Sequence, residues 1–271
     1  MILIDAHVHI YDCFDLAKFF DSAHANFKFE AEQQDHGHDF TGILLLAETF
    51  KDNWFNHLAD YADGKGLPDG KNTGSWIFSR TNENDSLLVT SGDSKNLLLI
   101  AGRQIVTDEG LEVLALFTNE SFKDGTPIKK LVAEIRDNGT LAVIPWGFGK
   151  WMGKRGAVLN RLIESAKSSD FFLGDSSNRP FFLTYPPQFK LAQNKNIRNL
   201  PGSDPLPLQS EFNKAGSWGF SISEHLDESK PVAQLKEFIY KKPSELILFG
   251  KLEGLWGFIK NQLLLKLKKL R

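Results

Sequence analysis

Short apolar runs alternate with longer amphipathic stretches along the chain. Ile2-Leu3-Ile4, Gly42 to Glu48, Leu141 to Pro145, Phe171 to Asp175 and Asn199 to Asp204 read as buried strands. Thr126 to Asn138 reads as a helix, with Pro127 near its start and Gly139 just past its end. Gly156 to Ser168 is a second, with Val158, Leu159, Leu162, Ile163 and Ala166 at helical spacing. Strand–helix–strand succession predicts parallel strands with helical crossovers. The middle differs. Ser75 to Ser79, Ser86 to Thr90, Asn96 to Thr107 and Leu111 to Phe117 are β-rich, with turns at Ser91 to Ser94 and Asp108 to Gly110. They predict antiparallel hairpins inserted into, or decorating, a parallel core. There is no internal repeat. Near the end, Leu252, Leu255, Trp256, Ile259, Leu263, Leu267 and Leu270 fall on one helical stripe, and from Lys260 onward there are five basic residues and no acid. That stripe suits either a docked C-terminal helix or a helix for a membrane surface or protein partner.

Length and composition narrow the class. The 271 residues suit a single domain over 1–249, with residues 250–271 as a terminal helix rather than a second domain. An apolar fraction of 41%, with 22 Phe and 6 Trp, supports a sizeable core and excludes disorder. Lys and Arg number 32 against 34 Asp and Glu, so no global field attracts nucleic acid. The lone Cys13 excludes an intrachain disulfide and a zinc ribbon. Its opening, Met-Ile-Leu-Ile-Asp-Ala-His, is too short an apolar run for a signal peptide, and no stretch approaches the roughly 18 apolar residues of a spanning helix. A cytoplasmic protein is expected.

Candidate chemistry starts at Asp5-Ala6-His7-Val8-His9, directly after an apolar run. On a regular strand Asp5, His7 and His9 share one face while Ile4, Ala6, Val8 and Ile10 share the other. Two neutral imidazoles side by side form half of a site for zinc, manganese or iron; a hydrogen-bonded pair is the alternative. Gly202-Ser203-Asp204 closes a late apolar segment, where Asp204 could ligate metal, move a proton, or simply form a turn before Pro205.

Order and content together resemble the PHP (polymerase and histidinol phosphatase) superfamily. The resemblance rests on Asp5 to His9, on Ala101 to Thr107 followed by Gly110 to Leu116, on Gly139 to Pro145, and on Gly202 to Asp204, and it spans roughly residues 1–220. It implies a distorted, TIM-like β/α barrel with a metal centre at the carboxyl ends of its strands, often hydrolysing phosphoesters. Several family positions differ here. Glu48-Thr49 replaces an Asp-His pair, Gln104 a glutamate, Pro145-Trp146 a His-Pro, and Pro205 to Pro207 the region of a later histidine. No histidine lies between His57 and His225, so a trinuclear cluster cannot form at the usual positions. One weakly held divalent ion, or none, is therefore expected. The amidohydrolase superfamily also opens on His-x-His and closes on a strand-end Asp, and is the competing resemblance.

Glu48 and Asp175, at other strand ends, are candidates to complete a metal set of His7, His9 and Asp204. Lys150, Lys154, Arg155 and Arg179 are candidate anion clamps. The first three belong to Trp146 to Gly156, whose four glycines suit an anion or sugar loop, or an ordinary turn into a helix. Asp35-His36-Gly37-His38-Asp39 reads as a solvated loop, His24 and His57 as surface residues, and His225 and Cys13 as neighbours of the rim or pocket. Three functions stay open. One is a metal-dependent hydrolase of a phosphorylated or otherwise anionic small molecule, with or without a sugar, with Asp204, Lys150 and Arg179 in catalytic roles. The others are a degenerate barrel serving binding alone, and an amidohydrolase-like enzyme.

Overall fold

The computed structural model describes residues 1–37, 39–92, 95–241 and 246–269; His38, the Asp93-Ser94 part of the expected turn, and Leu270 lie outside the described residues. β1 (Ile2–Val8) leads through α1 (Leu16–Gln33) to β2 (Thr41–Leu46) and α2 (Trp54–Ala62). β3 (Ile77–Arg80), β4 (Ser86–Ser91) and β5 (Lys95–Ile100) form an antiparallel run, followed by the hairpin of β6 (Gly102–Val106) and β7 (Glu112–Leu116). Then come α3 (Ile128–Asp137), β8 (Leu141–Pro145), α4 (Gly153–Ser165), β9 (Phe172–Gly174) and α5 (Pro187–Asn194). The chain continues through β10 (Trp218–Ile222), α6 (Pro231–Lys241), β11 (Ile247–Gly250) and α7 (Leu255–Lys269).

The expected TIM-like barrel is not what forms. The described strands lie in two open sheets, one of order β11-β10-β1-β2-β5-β4-β3 and one of order β6-β7-β8-β9. A β/α barrel needs parallel neighbours all round. Here β10 runs antiparallel to β1, and β7 runs antiparallel to both of its neighbours, β6 and β8. Parallel pairing joins β1 to β2, β2 to β5, and β8 to β9. Nor are the hairpins decoration: β5 sits between β2 and β4, with Leu97 to Ile100 buried. The single apolar stretch expected from Asn96 to Thr107 breaks at Ala101, where the chain passes from one sheet to the other. Asn199 to Asp204 forms no regular strand. It lies between β9 and β1, with Leu200 N–H donating to Leu173 and Ala6 N–H donating to Pro201. Pro201 lacks a donor, which limits the segment to isolated bridges.

Apolar residues sort into layers. Ile2, Ile4, Ile43, Leu45, Leu98 and Ile100 meet Leu114, Leu116, Leu141 and Val143 in one core shared by both sheets. Phe19, Phe20, Ala23 and Phe27 of α1 repeat at helical spacing and cover the outer face of the larger sheet. Asp15 starts that helix, its side chain accepting from Lys18 N–H. Leu131, Ile135, Leu159 and Ile163 cover the smaller sheet in the same way. The helix of Thr126 to Asn138 is found as α3. The one expected from Gly156 begins three residues earlier, in a polar turn that carries no apolar period. Among the described residues no helix is long and apolar enough to cross a membrane.

Candidate metal centre

The site is set by an irregularity in β1. Ile2, Ile4 and Ala6 enter the core between the sheets, whereas Leu3, Val8 and Ile10 enter the helix-side core. The alternation therefore reverses between Ala6 and Val8, where the pairing of β1 with β2 shifts register. Asp5 stays on the Leu3 side, while His7 and His9 turn the other way. The regular face-sharing of Asp5, His7 and His9 is thus corrected, and only the two histidines reach the site.

His7 Nε2 lies 3.0 Å from His9 Nε2 and 3.2 Å from Gln104 Oε1. Asp204 Oδ1 lies 3.6 Å from His7 Nε2 and 3.7 Å from His9 Nε2. Asp204 is delivered by a tight approach of its segment to β1. A Cβ on Gly202 would strike the backbone and Cβ of His7, so only glycine allows this crossing. Asp204 itself is left-handed, at φ 51°. Its N–H donates to His7 O at 2.7 Å, its Oδ2 accepts from Ser176 Oγ at 2.9 Å, and its carbonyl accepts from Asn178 Nδ2 at 2.5 Å. These bonds hold a conformation that is uncommon for a residue with a side chain.

Ligand atoms about 2.1 Å from a tetrahedral ion stand roughly 3.4 Å apart. The separations among His7, His9 and Asp204 bracket that value, and all three ligand atoms fall within 4.8 Å of one another. The residues therefore fit one ion, with Gln104 as a neutral neighbour of His7. His9 Nδ1 is buried without a hydrogen-bond partner, so no second group orients this ring in the usual way. It stacks instead on Tyr11, with centroids 5.3 Å apart.

Burial drives the electrostatics. It pushes the His7 pKa down to about 4. His9 falls to about 3, through burial first and the neighbouring His7 second. Burial raises the Asp204 carboxyl, opposed by His9 and Ser176. Ordinary imidazoles lose ligand capacity as they protonate near pH 6.5. These two stay neutral well below that, so zinc affinity is expected to change less than about tenfold between pH 7.5 and 5.5. Competition titration with a chromogenic chelator checks this, and a steeper loss would mean that a ring, or the Asp204 carboxyl that burial raises, takes up a proton in that interval.

A cavity of about 310 Å³ opens beside the cluster, lined by His9, Asp204, Tyr11, Trp146, Lys150 and Asn178, with Phe258 and Asn261 of α7 on a further wall. Lys150 is paired with Glu112. Other sequence candidates stand elsewhere. Glu48 is buried, accepting from Phe55 N–H at 2.9 Å, with its other oxygen 3.3 Å from Arg103. Asp175 and Arg179 form a buried two-bond pair, both contacts 2.7 Å, with the guanidinium over Tyr185. Arg155 bonds the carbonyls of Gly149 and Gly110 and so braces its own loop, while Lys154 is exposed. His24 is buried against Phe40 and Trp76, correcting its expected surface position; the hydrophobic face of α1 carries it inward. His36, His225 and Cys13 are exposed. Glu112, at the start of β7, lies within the Gly110 to Leu116 stretch but is not marked there as a site residue, and the sequence signal for Ser176 and Asn178 is a polar run following β9.

The fold and site define a mixed α/β protein with a two-histidine, one-aspartate cluster at the edge of a cavity. No protein-family model matches the chain, and no curated protein matches it in sequence. Among solved structures, PsfC from Pseudomonas syringae PB-5123 is similar over 99% of this chain and 98% of its own, with a TM-score of 0.54 and 13% identity. The lesion-specific endonuclease PfuEndoQ from Pyrococcus furiosus is similar over 90% of this chain and 57% of its own, with a TM-score of 0.48 and 13% identity. The likeness to PsfC is one of fold, and the likeness to PfuEndoQ is too slight to bear on function.

Proposed function

We propose that this chain is a PHP-like hydrolase that uses one divalent ion, zinc, manganese or iron, against a phosphorylated or otherwise anionic small molecule. The observation that carries the reading is the convergence of His7, His9 and Asp204 beside a cavity that also holds Lys150. The two imidazoles and the Asp204 carboxylate would hold the ion, which would supply Lewis acidity toward substrate and water. Lys150 would exchange its partner Glu112 for an anionic substrate group, fixing its position in the cavity. Ser176 and Asn178 keep Asp204 aimed inward. Tyr11 and Trp146 supply flat walls suited to a sugar or other ring. Neutral Gln104 in place of an acid limits the centre to one ion.

A binding-only reading is favoured by one observation: the carboxylates of Glu48 and Asp175 are already engaged by arginines. A panel of phosphomonoesters, assayed with added Mn²⁺, Zn²⁺ or Fe²⁺ and with chelator, separates the two. The hydrolase reading expects metal-dependent turnover, and a KM raised about tenfold in Lys150→Ala through loss of one charge-assisted contact. Metal bound without turnover of any phosphoester favours binding alone. Cleavage of C–N or C–C bonds in a parallel substrate set, with no phosphoester turned over, favours the amidohydrolase-like reading.

A further inference from the structure

We infer that α7 docks this protein flat on an anionic membrane surface. The inference is independent of the metal reading. Leu255, Trp256, Ile259, Leu263 and Leu267 occupy about a third of the helix circumference at 100° per residue, and all five are exposed, Trp256 at 81%. This sector is not the one that seats the helix. Phe258 packs between the rings of Phe148 and Phe182, with centroids 5.0 and 6.3 Å away, and Asn261 is buried, donating to Glu211 Oε1 at 3.2 Å. The helix is thus apolar on two sides, one docked and one bare. Phe148, Phe181 and Phe182, grouped around the seat of Phe258, are themselves exposed. A contiguous patch of this kind marks an interaction surface.

Charge selects the occupant. Lys260 lies just past one edge of the bare sector and Lys266 within it, and both are exposed. From Lys260 to the end there are five basic residues and no acid. A second copy meeting the same face would bring matching positive charge, whereas anionic headgroups complement it. Trp256, the most exposed of the large apolar side chains, suits the water–lipid boundary. With no described helix able to span a bilayer, the mode is adsorption to its surface.

The test is co-sedimentation of the full chain with vesicles of phosphatidylcholine alone or with a minority of phosphatidylglycerol. Binding is expected to the anionic vesicles only, and to weaken with salt. The double variant Trp256→Glu, Leu263→Glu changes exposed side chains, leaves the circular dichroism spectrum intact, and is expected to bind at least about tenfold more weakly. Lys260→Ala with Lys266→Ala is expected to weaken binding by roughly 25-fold, about fivefold for each lysine. No binding to anionic vesicles, equal binding to neutral ones, or unchanged binding in both variants would overturn the inference. So would a dimer in solution that Trp256→Glu, Leu263→Glu dissociates, because the patch would then serve a second copy.

Discussion

Replacing His9 with alanine is expected to weaken zinc binding by roughly a hundredfold or more while the chain stays folded. Zinc sites in small domains are worth about 10–16 kcal/mol over four ligands, so each ligand accounts for a few kcal/mol. His9 stands 3.0 Å from the Nε2 of His7 and 3.7 Å from Asp204, so removing it leaves two protein ligands at the edge of an open cavity. The fold should tolerate the loss. His9 Nδ1 is a buried group without a partner, and deleting the ring removes that desolvation cost together with its packing on Tyr11. Isothermal titration with Zn²⁺ measures the affinity, and thermal melts with and without Zn²⁺ supply an independent reading. Wild-type protein should gain stability from the metal by linkage, and the His9→Ala protein should gain none at the same concentration. His36→Ala is the control, since that exposed residue of the second His-x-His lies in a turn following α1. Equal zinc affinity in wild-type and His9→Ala protein would dismantle the centre.

The second large effect is structural. Asp5→Ala is expected to cost about 3–5 kcal/mol, read as a lower urea midpoint and a fall in melting temperature of about 10 °C. Asp5 is fully buried. It accepts from Ser203 N–H at 2.8 Å, Ser203 Oγ at 2.5 Å, Gly216 N–H at 2.8 Å and His7 N–H at 3.3 Å. It thereby ties β1 to the segment that delivers Asp204 and to the turn before β10. Alanine would leave those backbone donors buried without acceptors, the expensive direction of hydrogen-bond loss. Burial raises the Asp5 carboxyl from 3.8 to about 7, against the pull of those donors. A folded pKa above the unfolded one means the folded state holds the proton more tightly. The associated stability is complete below about 3.8 and is lost as pH rises through about 7. The advantage of wild type over the non-ionising Asp5→Asn should therefore be larger at pH 5 than at pH 8. His7 and His9, lowered by burial, act with the opposite sign: their contribution is present above pH 6.5 and lost as pH falls toward 4. They are common to both proteins, so the difference between the two isolates Asp5. A change to alanine without loss of stability would mean these bonds do not hold the segment.

The two effects divide along the line between local pattern and tertiary placement. The apolar runs around Ile4, Leu44 and Val143 announce β1, β2 and β8, and Pro127 with Gly139 brackets α3, because strand and helix periods and chain punctuation are properties of a few consecutive residues. His7, His9 and Asp204 were legible as candidates for the same reason: each sits where a short apolar segment ends. The acids and histidines missing elsewhere lead to the expectation of one weakly held ion, or none.

Other features depend on residues far apart in the chain. Whether strands make a barrel or two open sheets depends on partners such as β10, more than two hundred residues from β1, and its direction is written nowhere near either strand. The face that His7 presents depends on a register shift against β2, which reversed the simple alternation and sent Asp5 to a structural role. Glu48 and Asp175 were plausible ligands by position, but Arg103 and Arg179 took their carboxylates into buried pairs. The leucine stripe of α7 was visible as a stripe, yet only packing decided that its other side docks and this one faces outward. By itself the sequence determined the local elements and the kinds of side chain available for chemistry. The tertiary structure decided which of them meet, because burial and pairing are settled by contacts between distant segments rather than by the period of any one of them.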